Sequence, residues 1–318
     1  MKQLNIGIIG TASIAENRFI PAIKNYNNVN YYGVASRTKE KAAVFVAKNG
    51  GKPFNSYEEL LSDANVDCVY IPLPPALHFE WAKKALKSGK HVLLEKPFVL
   101  NKTQAYELVE LAKKKYLALH ENYMFTEHKQ LQRVKKLLED KAVGDVYYVA
   151  ARFCFPRRAE DDFRYDKDLG GGALNDCGGY TIKLVTELFG DDVELRNAQF
   201  CMEKDIDITG SISYKSDKVT IQTFFGMDND YRCDLEVIGS CGTVYAPRIF
   251  TAPSNFFAPV YLKKNGKTVK FYKFKDNQFL NSFKLFEIAI DNTDVRISLY
   301  KKIITQSELV EKARRYMV

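Results

Sequence analysis

The chain has 318 residues, of which 46% are apolar and 27% are charged. The length favours two domains sharing a cleft, and the composition excludes a disordered or fibrous protein. The formal charge of +8 at pH 7 comes from Lys and Arg residues spread along the whole chain. That distribution argues against nucleic-acid binding, which calls for a clustered basic patch.

Cysteine and histidine placement excludes two further classes of protein. The six cysteines form no CxxC pair, and the four histidines make no metal-ligand spacing with them. We therefore expect reduced thiols and no metal. The start of the chain carries no apolar signal region, and no window is long and apolar enough to span a bilayer. These observations predict a cytoplasmic protein without a membrane partner.

Short apolar strands alternate with helices through the first 120 or so residues. The predicted strands are Leu4–Ile9, Val29–Ala35, Cys68–Leu73, His91–Leu94 and Tyr116–His120. The predicted helices begin at Pro21 and after Thr38, and then cover Tyr57–Leu61, His78–Leu86 and Lys102–Lys115. This alternation is typical of a doubly wound parallel sheet.

The pattern changes after Tyr123. One more helix, Gln130–Asp140, precedes longer strands with alternating polarity. These strands are Val146–Phe155, Ala198–Cys201, Ile206–Tyr214, Lys218–Phe225, Cys233–Ile238 and Thr268–Phe274. They predict an α/β domain with an open, mostly antiparallel sheet, so we place the domain boundary after residue 122.

The turn after the first strand reads Gly10-Thr11-Ala12-Ser13-Ile14-Ala15, a G-x-A-x-x-A pattern. Gly10 permits a tight turn, and the small Ala12 lets backbone N–H groups approach a pyrophosphate. Such turns also occur as plain structure, so this pattern alone leaves both readings open.

The end of the second strand favours NADP over NAD. An NAD-binding domain carries Asp or Glu there to bind the ribose 2′-hydroxyl, whereas this chain has Ser36-Arg37, followed by Lys41. These side chains can hold a 2′-phosphate that a carboxylate would repel. The alternative is that Arg37 and Lys41 are surface charges.

With these motifs, Leu73-Pro74 through His78 and Glu95-Lys96-Pro97, the chain resembles the Gfo/Idh/MocA family of oxidoreductases. The resemblance extends into the second half through the run from Gly170 to Tyr180. It implies an N-terminal NAD(P)-binding Rossmann domain, residues 1–122, and a C-terminal substrate-binding and oligomerisation domain, residues 123–318. Homodimers or homotetramers built on the open sheet would follow. It also implies cofactor contacts from Leu73, Pro74, His78, Glu95, Lys96 and Asn122.

Lys96 is the predicted catalytic residue of the first half. A lysine at the carboxyl end of a parallel strand points into the crevice where such sheets bind ligands. Burial beside a cationic nicotinamide would make its ammonium a better donor to a developing alkoxide.

Tyr180 is its predicted partner in the second half. Asp176 and Tyr180 are four residues apart and should share a helical face. Many family members carry His at the position of Tyr180 and Asp at that of Lys183, and the Tyr form is similar to sugar 3-ketoreductases, glucose–fructose oxidoreductases and dihydrodiol dehydrogenases. A tyrosine hydroxyl can pass a proton to a carbonyl oxygen.

Phe153-Cys154-Phe155-Pro156, Phe163-Arg164 and Arg248 to Pro253 look most like the ketoreductases that act on nucleotide-linked sugars. That resemblance implies substrate contacts from Lys96, Tyr123, Arg164, Asp176, Tyr180 and Arg248. Either arginine could instead pair with an aspartate at the surface.

The leading hypothesis is therefore NADPH-dependent reduction of a keto group on a nucleotide-linked 3-keto sugar, in deoxysugar or surface-glycan biosynthesis. Three rivals stay open: a dihydrodiol or free-sugar dehydrogenase, a glycosidase that retains its NAD, and a non-catalytic cofactor-sensing protein.

Overall fold

The computed structural model describes residues 3–191 and 193–317. The chain forms two compact units. Unit 1 comprises Met1–Asn122 and Phe279–Ser307, and unit 2 comprises Tyr123–Gln278 and Glu308–Val318. Residues 279–307, which the pattern assigned to the second domain, thus belong to the unit that contains the first 122 residues.

Unit 1 contains a six-stranded sheet in the order β3-β2-β1-β4-β5-β6, and every pairing is parallel. Its strands are β1 Leu4–Ile9, β2 Val29–Ala35, β3 Lys52–Phe54, β4 Cys68–Ile71, β5 His91–Leu94 and β6 Leu119–Glu121. The order reverses between β1 and β4. Ligands bind at such a switch point, outside the carboxyl ends of the strands.

Helices connect these strands. They are α1 Ile20–Ile23, α2 Lys39–Asn49, α3 Tyr57–Ser62, α4 Pro75–Lys87 and α5 Lys102–Lys115. All four residues of β4 are buried, as expected for a parallel strand covered on both faces. The apolar core that contains residues of β4 and β5 also includes Tyr300 and Ile303, from the C-terminal part of the chain.

Unit 2 contains an eight-stranded sheet in the order β14-β13-β12-β11-β7-β10-β9-β8. Its strands are β7 Val146–Cys154, β8 Glu194–Glu203, β9 Ile206–Ser216, β10 Val219–Gly226, β11 Arg232–Gly239, β12 Gly242–Pro247, β13 Ala258–Lys264 and β14 Lys267–Phe274. The β7–β10 pairing is parallel and the other pairings are antiparallel. The predicted α/β class, with a parallel sheet and a mostly antiparallel one, is therefore confirmed.

The remaining helices are α6 Lys129–Glu139, α7 Gly179–Phe189, α8 Gln278–Asp291 and α9 Thr293–Arg314. Helices α6 and α7 pack against strands of the unit 2 sheet. Helix α9 is divided, because its residues up to Ser307 belong to unit 1 and those from Glu308 belong to unit 2.

Several element boundaries differ from the prediction. The first helix does not begin at Pro21, because a π-helical turn, Ala15–Phe19, leads directly into α1. The strand predicted over Tyr116–His120 begins only at Leu119. Tyr116 instead caps the end of α5 in the left-handed conformation, with a φ of 57°.

His91 joins two neighbouring strands of unit 1. It is the first residue of β5, and its Nδ1 accepts a hydrogen bond of 2.9 Å from the N–H of Ala118, just before β6. Burial lowers the pKa of His91 from 6.5 to about 4, and the charge of Arg296 acts in the same direction. The neutral ring is therefore the form that the folded protein favours.

We predict that His91 makes stability depend on pH. Its pKa is lower in the folded state than in the unfolded state, so the unfolded chain binds the extra proton below about pH 6.5. The free energy of unfolding should fall as the pH drops from 7 towards 4, with at most about 3 kcal/mol coming from this residue. His91→Asn keeps an acceptor for Ala118 but does not titrate. Chemical denaturation of both proteins should show a gap that shrinks with falling pH, and a gap independent of pH would contradict this account.

Candidate functional sites in the two units

The Gly10 turn lies at the carboxyl end of β1. Gly10 has a φ of +106°, and an added Cβ would lie 2.7 Å from Cδ2 of Leu73. Its N–H donates to the carbonyl of Ala35 at 2.8 Å, which holds the turn beside the end of β2. Only glycine fits both the dihedral angle and the space.

The other predicted phosphate-binding residues of this turn are Thr11, Ala12, Ser13 and Ile14, which directly follow Gly10. The Oγ1 of Thr11 lies 3.4 Å from the Oγ of Ser36. The Ala12 carbonyl accepts from the N–H of Ala15 at 2.9 Å, and Ser13 accepts from Asn17 at 2.9 Å. Ile14 immediately precedes the π-helical turn. The segment is thus a compact strand-to-helix turn, as the motif predicts.

The residues expected to read the ribose lie at the end of β2. Ser36 is buried and Arg37 is exposed. Burial raises the pKa of Tyr57, and the positive charge of Arg37 opposes that rise. Lys41 is in the first turn of α2, where its N–H donates to Oγ1 of Thr38 at 3.3 Å.

His78 connects two loops at the carboxyl ends of the strands. The ring is fully buried, its Nδ1 lies 2.8 Å from the carbonyl oxygen of Pro97, and its Nε2 lies 2.8 Å from that of Leu73. Burial lowers the pKa of His78, and the contacts with the carbonyls oppose that change. Pro74 immediately precedes α4. Through its contacts with Leu73 and Pro97, the His78 ring connects the β4–α4 turn to the segment that carries Lys96.

Glu95 and Lys96 follow β5, and the Lys96–Pro97 peptide bond is cis. Oε1 of Glu95 accepts from the Tyr70 hydroxyl and from Nδ2 of Asn122, both at 2.6 Å, while Oε2 accepts from the Lys96 N–H at 3.3 Å. Burial raises the pKa of Glu95, and these hydrogen bonds oppose the rise. Lys96 is partly exposed between two buried neighbours. The buried carboxylate therefore supports a lysine that solvent or a ligand can reach.

The glycine-rich run in unit 2 opens the helix that carries Asp176 and Tyr180. It begins with a π-helical turn, Leu174–Gly178, before α7. Gly172 has a φ of +108°, and a Cβ there would lie 2.2 Å from Oδ1 of Asp207. Oδ2 of Asp207 accepts from the Leu174 N–H at 2.6 Å, and burial raises the pKa of Asp207 to about 6. Asp207 thus caps the start of this helix.

Tyr180 lies in an aromatic cluster and is 5% exposed. The hydroxyl is 3.7 Å from the sulfur of Met124. The cluster comprises Tyr123, Phe125, Phe153 and Phe250, with ring centroids 5.1 to 5.9 Å from that of Tyr180. The ring is therefore held by packing, and the hydroxyl is the polar part of the side chain.

The two predicted substrate arginines differ in their surroundings. Arg164 donates from Nε to Asp176 at 2.7 Å and from Nη1 to Asp162 at 3.0 Å. Burial alone would lower the pKa of Arg164, but the two carboxylates raise it overall. The guanidinium of Arg248 lies over the rings of Tyr231 and Phe256, at 5.3 and 5.4 Å, and its buried Nε has no hydrogen-bond partner.

Three supporting residues were not found from the sequence. Asp207 is 33 positions from its partner Leu174, and Arg314 is 139 positions from Asn175, whose Oδ1 accepts from it at 2.9 Å. Ser282 donates to Oδ1 of Asn122 at 2.8 Å across 160 positions. No local pattern marks such distant partners.

Within residues 3–191 and 193–317, no group of three or more His, Cys, Asp or Glu side chains could hold a metal ion. None of the helices in this part of the chain is long and apolar enough to cross a membrane. All six cysteines are free thiols.

Comparison with known proteins identifies both halves. Residues 4–123 match the model of an oxidoreductase family with an NAD-binding Rossmann fold, and residues 131–245 match the GFO/IDH/MocA C-terminal domain.

Individual relatives extend this match over nearly the whole chain. The dTDP-3,4-didehydro-2,6-dideoxy-α-D-glucose 3-reductase of Actinomadura kijaniata is 34% identical over 314 residues, which are 98% of this chain and 95% of that protein. The trans-1,2-dihydrobenzene-1,2-diol dehydrogenase of Xenopus laevis is 33% identical over 83% of this chain and 80% of that protein.

A solved structure is also similar over its full length. The crystal structure of KijD10, a 3-ketoreductase from Actinomadura kijaniata in complex with NADP and TDP-benzene, has a TM-score of 0.91 and 32% identity, covering 99% of this chain and 98% of that one. From its two matching domains and its full-length relatives, this chain belongs to the Gfo/Idh/MocA family of oxidoreductases.

Proposed function

We propose that this oxidoreductase uses NADPH to reduce the keto group at C3 of a dTDP-linked keto sugar in deoxysugar biosynthesis. The observation that carries the proposal is the full-length similarity to a 3-ketoreductase whose structure holds NADP and a TDP ligand. Relatives from other organisms, at 31 to 37% identity, also bear the name of a dTDP-sugar 3-reductase. Lys96 and Tyr180, the two proton-donating groups that this chemistry needs, are both present.

The bound cofactor would supply a hydride to the carbonyl carbon, and the protein would supply a proton to the oxygen. The ammonium of Lys96, a residue that is partly exposed, is one donor, and Glu95 accepts a hydrogen bond from the backbone N–H of this lysine. The Tyr180 hydroxyl is the second, on a ring that its aromatic neighbours hold in place. Either group would stabilise the negative charge that develops on the oxygen as hydride arrives.

The proposed cofactor residues fit NADP. Gly10, Thr11, Ala12, Ser13 and Ile14 form a turn whose backbone could cradle the pyrophosphate. Exposed Arg37, with Ser36 and Lys41 near it in sequence, offers charge and hydrogen bonds to a 2′-phosphate. Leu73, Pro74, His78 and Asn122 would complete the cofactor side.

On the substrate side we propose Tyr123, Tyr180, Asp176, Arg164 and Arg248. Arg164 and Asp176 already form an ion pair, so they would bind sugar hydroxyl or carbonyl groups as a fixed unit. The guanidinium of Arg248 is near two aromatic rings and has an unpartnered Nε, a suitable environment for an anionic or planar group.

A homo-oligomer built on the open face of the unit 2 sheet completes the proposal. Phe224, Ile238 and Phe271 project from this face and are 38%, 39% and 53% exposed. Ile238 in β11 and Phe271 in β14 lie on the strands that flank the stacked rings of Tyr245 and Tyr261, and Phe224 lies farther along the sheet, in β10. Exposed apolar patches of this kind mark protein interfaces.

Light scattering should give the mass of a dimer or a larger oligomer, and Ile238→Glu should weaken the association between subunits.

A dihydrodiol dehydrogenase is the second candidate function, because the Xenopus relatives bear that name at 31 to 33% identity. A screen of dTDP-keto sugars with NADPH and of trans-dihydrodiols with NADP separates the two. Turnover of diols but not of dTDP-keto sugars would show that the proposed substrate class is wrong.

A cytoplasmic location would suit a nucleotide sugar and NADPH as ligands.

Arg37→Glu should reverse the cofactor preference. The carboxylate would repel the 2′-phosphate and could accept a hydrogen bond from the 2′-hydroxyl of NADH. The Kd for NADPH, measured by fluorescence titration, should rise about 10- to 100-fold, while that for NADH changes little or falls. Lys114→Glu makes the same charge change at an exposed position of α5 and should alter neither. An unchanged ratio of the two constants in Arg37→Glu would contradict the assignment.

Loss of either proton donor should slow turnover without loss of cofactor binding. Lys96→Ala should lower kcat with a dTDP-3-keto sugar about 100-fold or more, and Tyr180→Phe about tenfold. Phenylalanine keeps the ring packing around position 180 and removes only the hydroxyl. The control Tyr116→Phe lies at a side chain that is 77% exposed and should behave as wild type. Full activity in both Lys96→Ala and Tyr180→Phe would refute the mechanism.

A further inference from the structure

Ser282 of helix α8 donates a hydrogen bond to Asn122, from which it is 160 positions away in the sequence. Asn122 in turn binds Glu95, the residue before Lys96. We propose that Ser282 and His120 are positioning residues that hold Lys96 in place through Asn122 and Glu95. The inference deepens the proposed function and rests on it. All of these residues belong to unit 1.

The contacts form one continuous chain of hydrogen bonds. His120 Nε2 lies 3.0 Å from the Ser282 hydroxyl, which is 2.8 Å from Oδ1 of Asn122. Nδ2 of Asn122 is 2.6 Å from Oε1 of Glu95, and the other Glu95 oxygen accepts from the Lys96 N–H. The chain thus runs from β6 through α8 to the segment that carries Lys96.

The direction of each hydrogen bond follows from its end point. The Glu95 carboxylate accepts, so the amide nitrogen of Asn122 must face it and the amide oxygen must face Ser282. An oxygen can only accept, so the Ser282 hydroxyl donates to it and uses a lone pair to accept from His120. His120 therefore carries its proton on Nε2. Every donor along the chain points towards Glu95.

Burial makes this series of hydrogen bonds sensitive to the loss of any one of them. Ser282 and Asn122 are each 1% exposed, His120 is 6% exposed and Glu95 is 8% exposed. Water has little access to replace a lost hydroxyl, and buried polar groups left without a partner are costly.

Without Ser282 the Asn122 amide would lose the group that sets its orientation. A turned amide would bring its oxygen against the Glu95 carboxylate, where the two oxygens would repel each other. The carboxylate would then shift, and with it the backbone N–H of Lys96 that it binds. A small displacement of a reacting group lowers kcat more than it lowers binding.

The test compares Ser282→Ala, which removes the link, with Ser282→Thr, which keeps a hydroxyl. Each is assayed with a dTDP-3-keto sugar and NADPH, and the Kd for NADPH is measured separately. Ser282→Ala should lower kcat about tenfold, with KM and the NADPH Kd within about threefold of wild type. Ser282→Thr should restore most of kcat. The control Ile288→Ala changes a residue of α8 that is 51% exposed and should leave all constants unchanged.

A second measurement follows the network itself, independently of turnover. In protein labelled with 15N-histidine, the His120 resonances should show a fixed Nε2–H tautomer, and this pattern should change in Ser282→Ala and be kept in Ser282→Thr. Normal kcat in Ser282→Ala, or a fall that Ser282→Thr does not rescue, would overturn the positioning role. If wild type reduces no dTDP-keto sugar, the proposed function fails, and the His120 spectra still decide whether the network exists.

Discussion

The arrangement of the strand ends around Lys96 in unit 1 depends on the hydrogen bonds that the buried side chain of Glu95 accepts. It accepts hydrogen bonds from Tyr70 of β4, from the segment after β6 and from the peptide of Lys96, so three neighbouring strand ends converge on one carboxyl group. An isolated carboxylate at this depth would be strongly unfavourable, and its donors offset that cost. The strand ends therefore keep a fixed arrangement around Lys96, as its proposed role as a proton donor requires before a substrate arrives.

In unit 2, polar side chains likewise fix the segment that leads to Tyr180. The helix that carries Tyr180 starts against Asp207, whose carboxylate occupies the space that a side chain at Gly172 would fill. Asn175 donates to the carbonyls of Gly170 and Gly171, and Arg314 in turn holds Asn175. Partners far along the chain thus shape the glycine-rich run, and Gly172 is needed because Asp207 approaches it so closely.

Much of this organisation could be predicted because its signals are local. A strand followed by Gly10 and small residues, Arg37 after the next strand, and Lys96 before a proline each lie within a few positions. The resemblance to a family then linked Lys96 to Tyr180, which no local pattern could do. The short edge strand β3 was missed because it has three residues and contains Pro53. The strands β12 and β13 were missed because each is short and contains a proline, Pro247 in β12 and Pro259 in β13.

The return of residues 279–307 to unit 1 was the main feature beyond reach of the sequence. Helix α8 has apolar residues typical of any buried helix, and nothing in its sequence names the sheet that it covers. Ser282 is accordingly an ordinary serine until the structure brings it to Asn122. Long-range partners of this kind are set by packing, and packing is decided by the whole chain.

The central claim is that hydride passes from the nicotinamide to C3 of a dTDP-linked keto sugar. The most direct test supplies NADPH deuterated at the transferable position of the nicotinamide and examines the product by NMR and mass spectrometry. The account predicts one deuterium at C3 of the sugar and one equivalent of NADP formed for each product. A product without deuterium at C3, or turnover without net oxidation of NADPH, would contradict it.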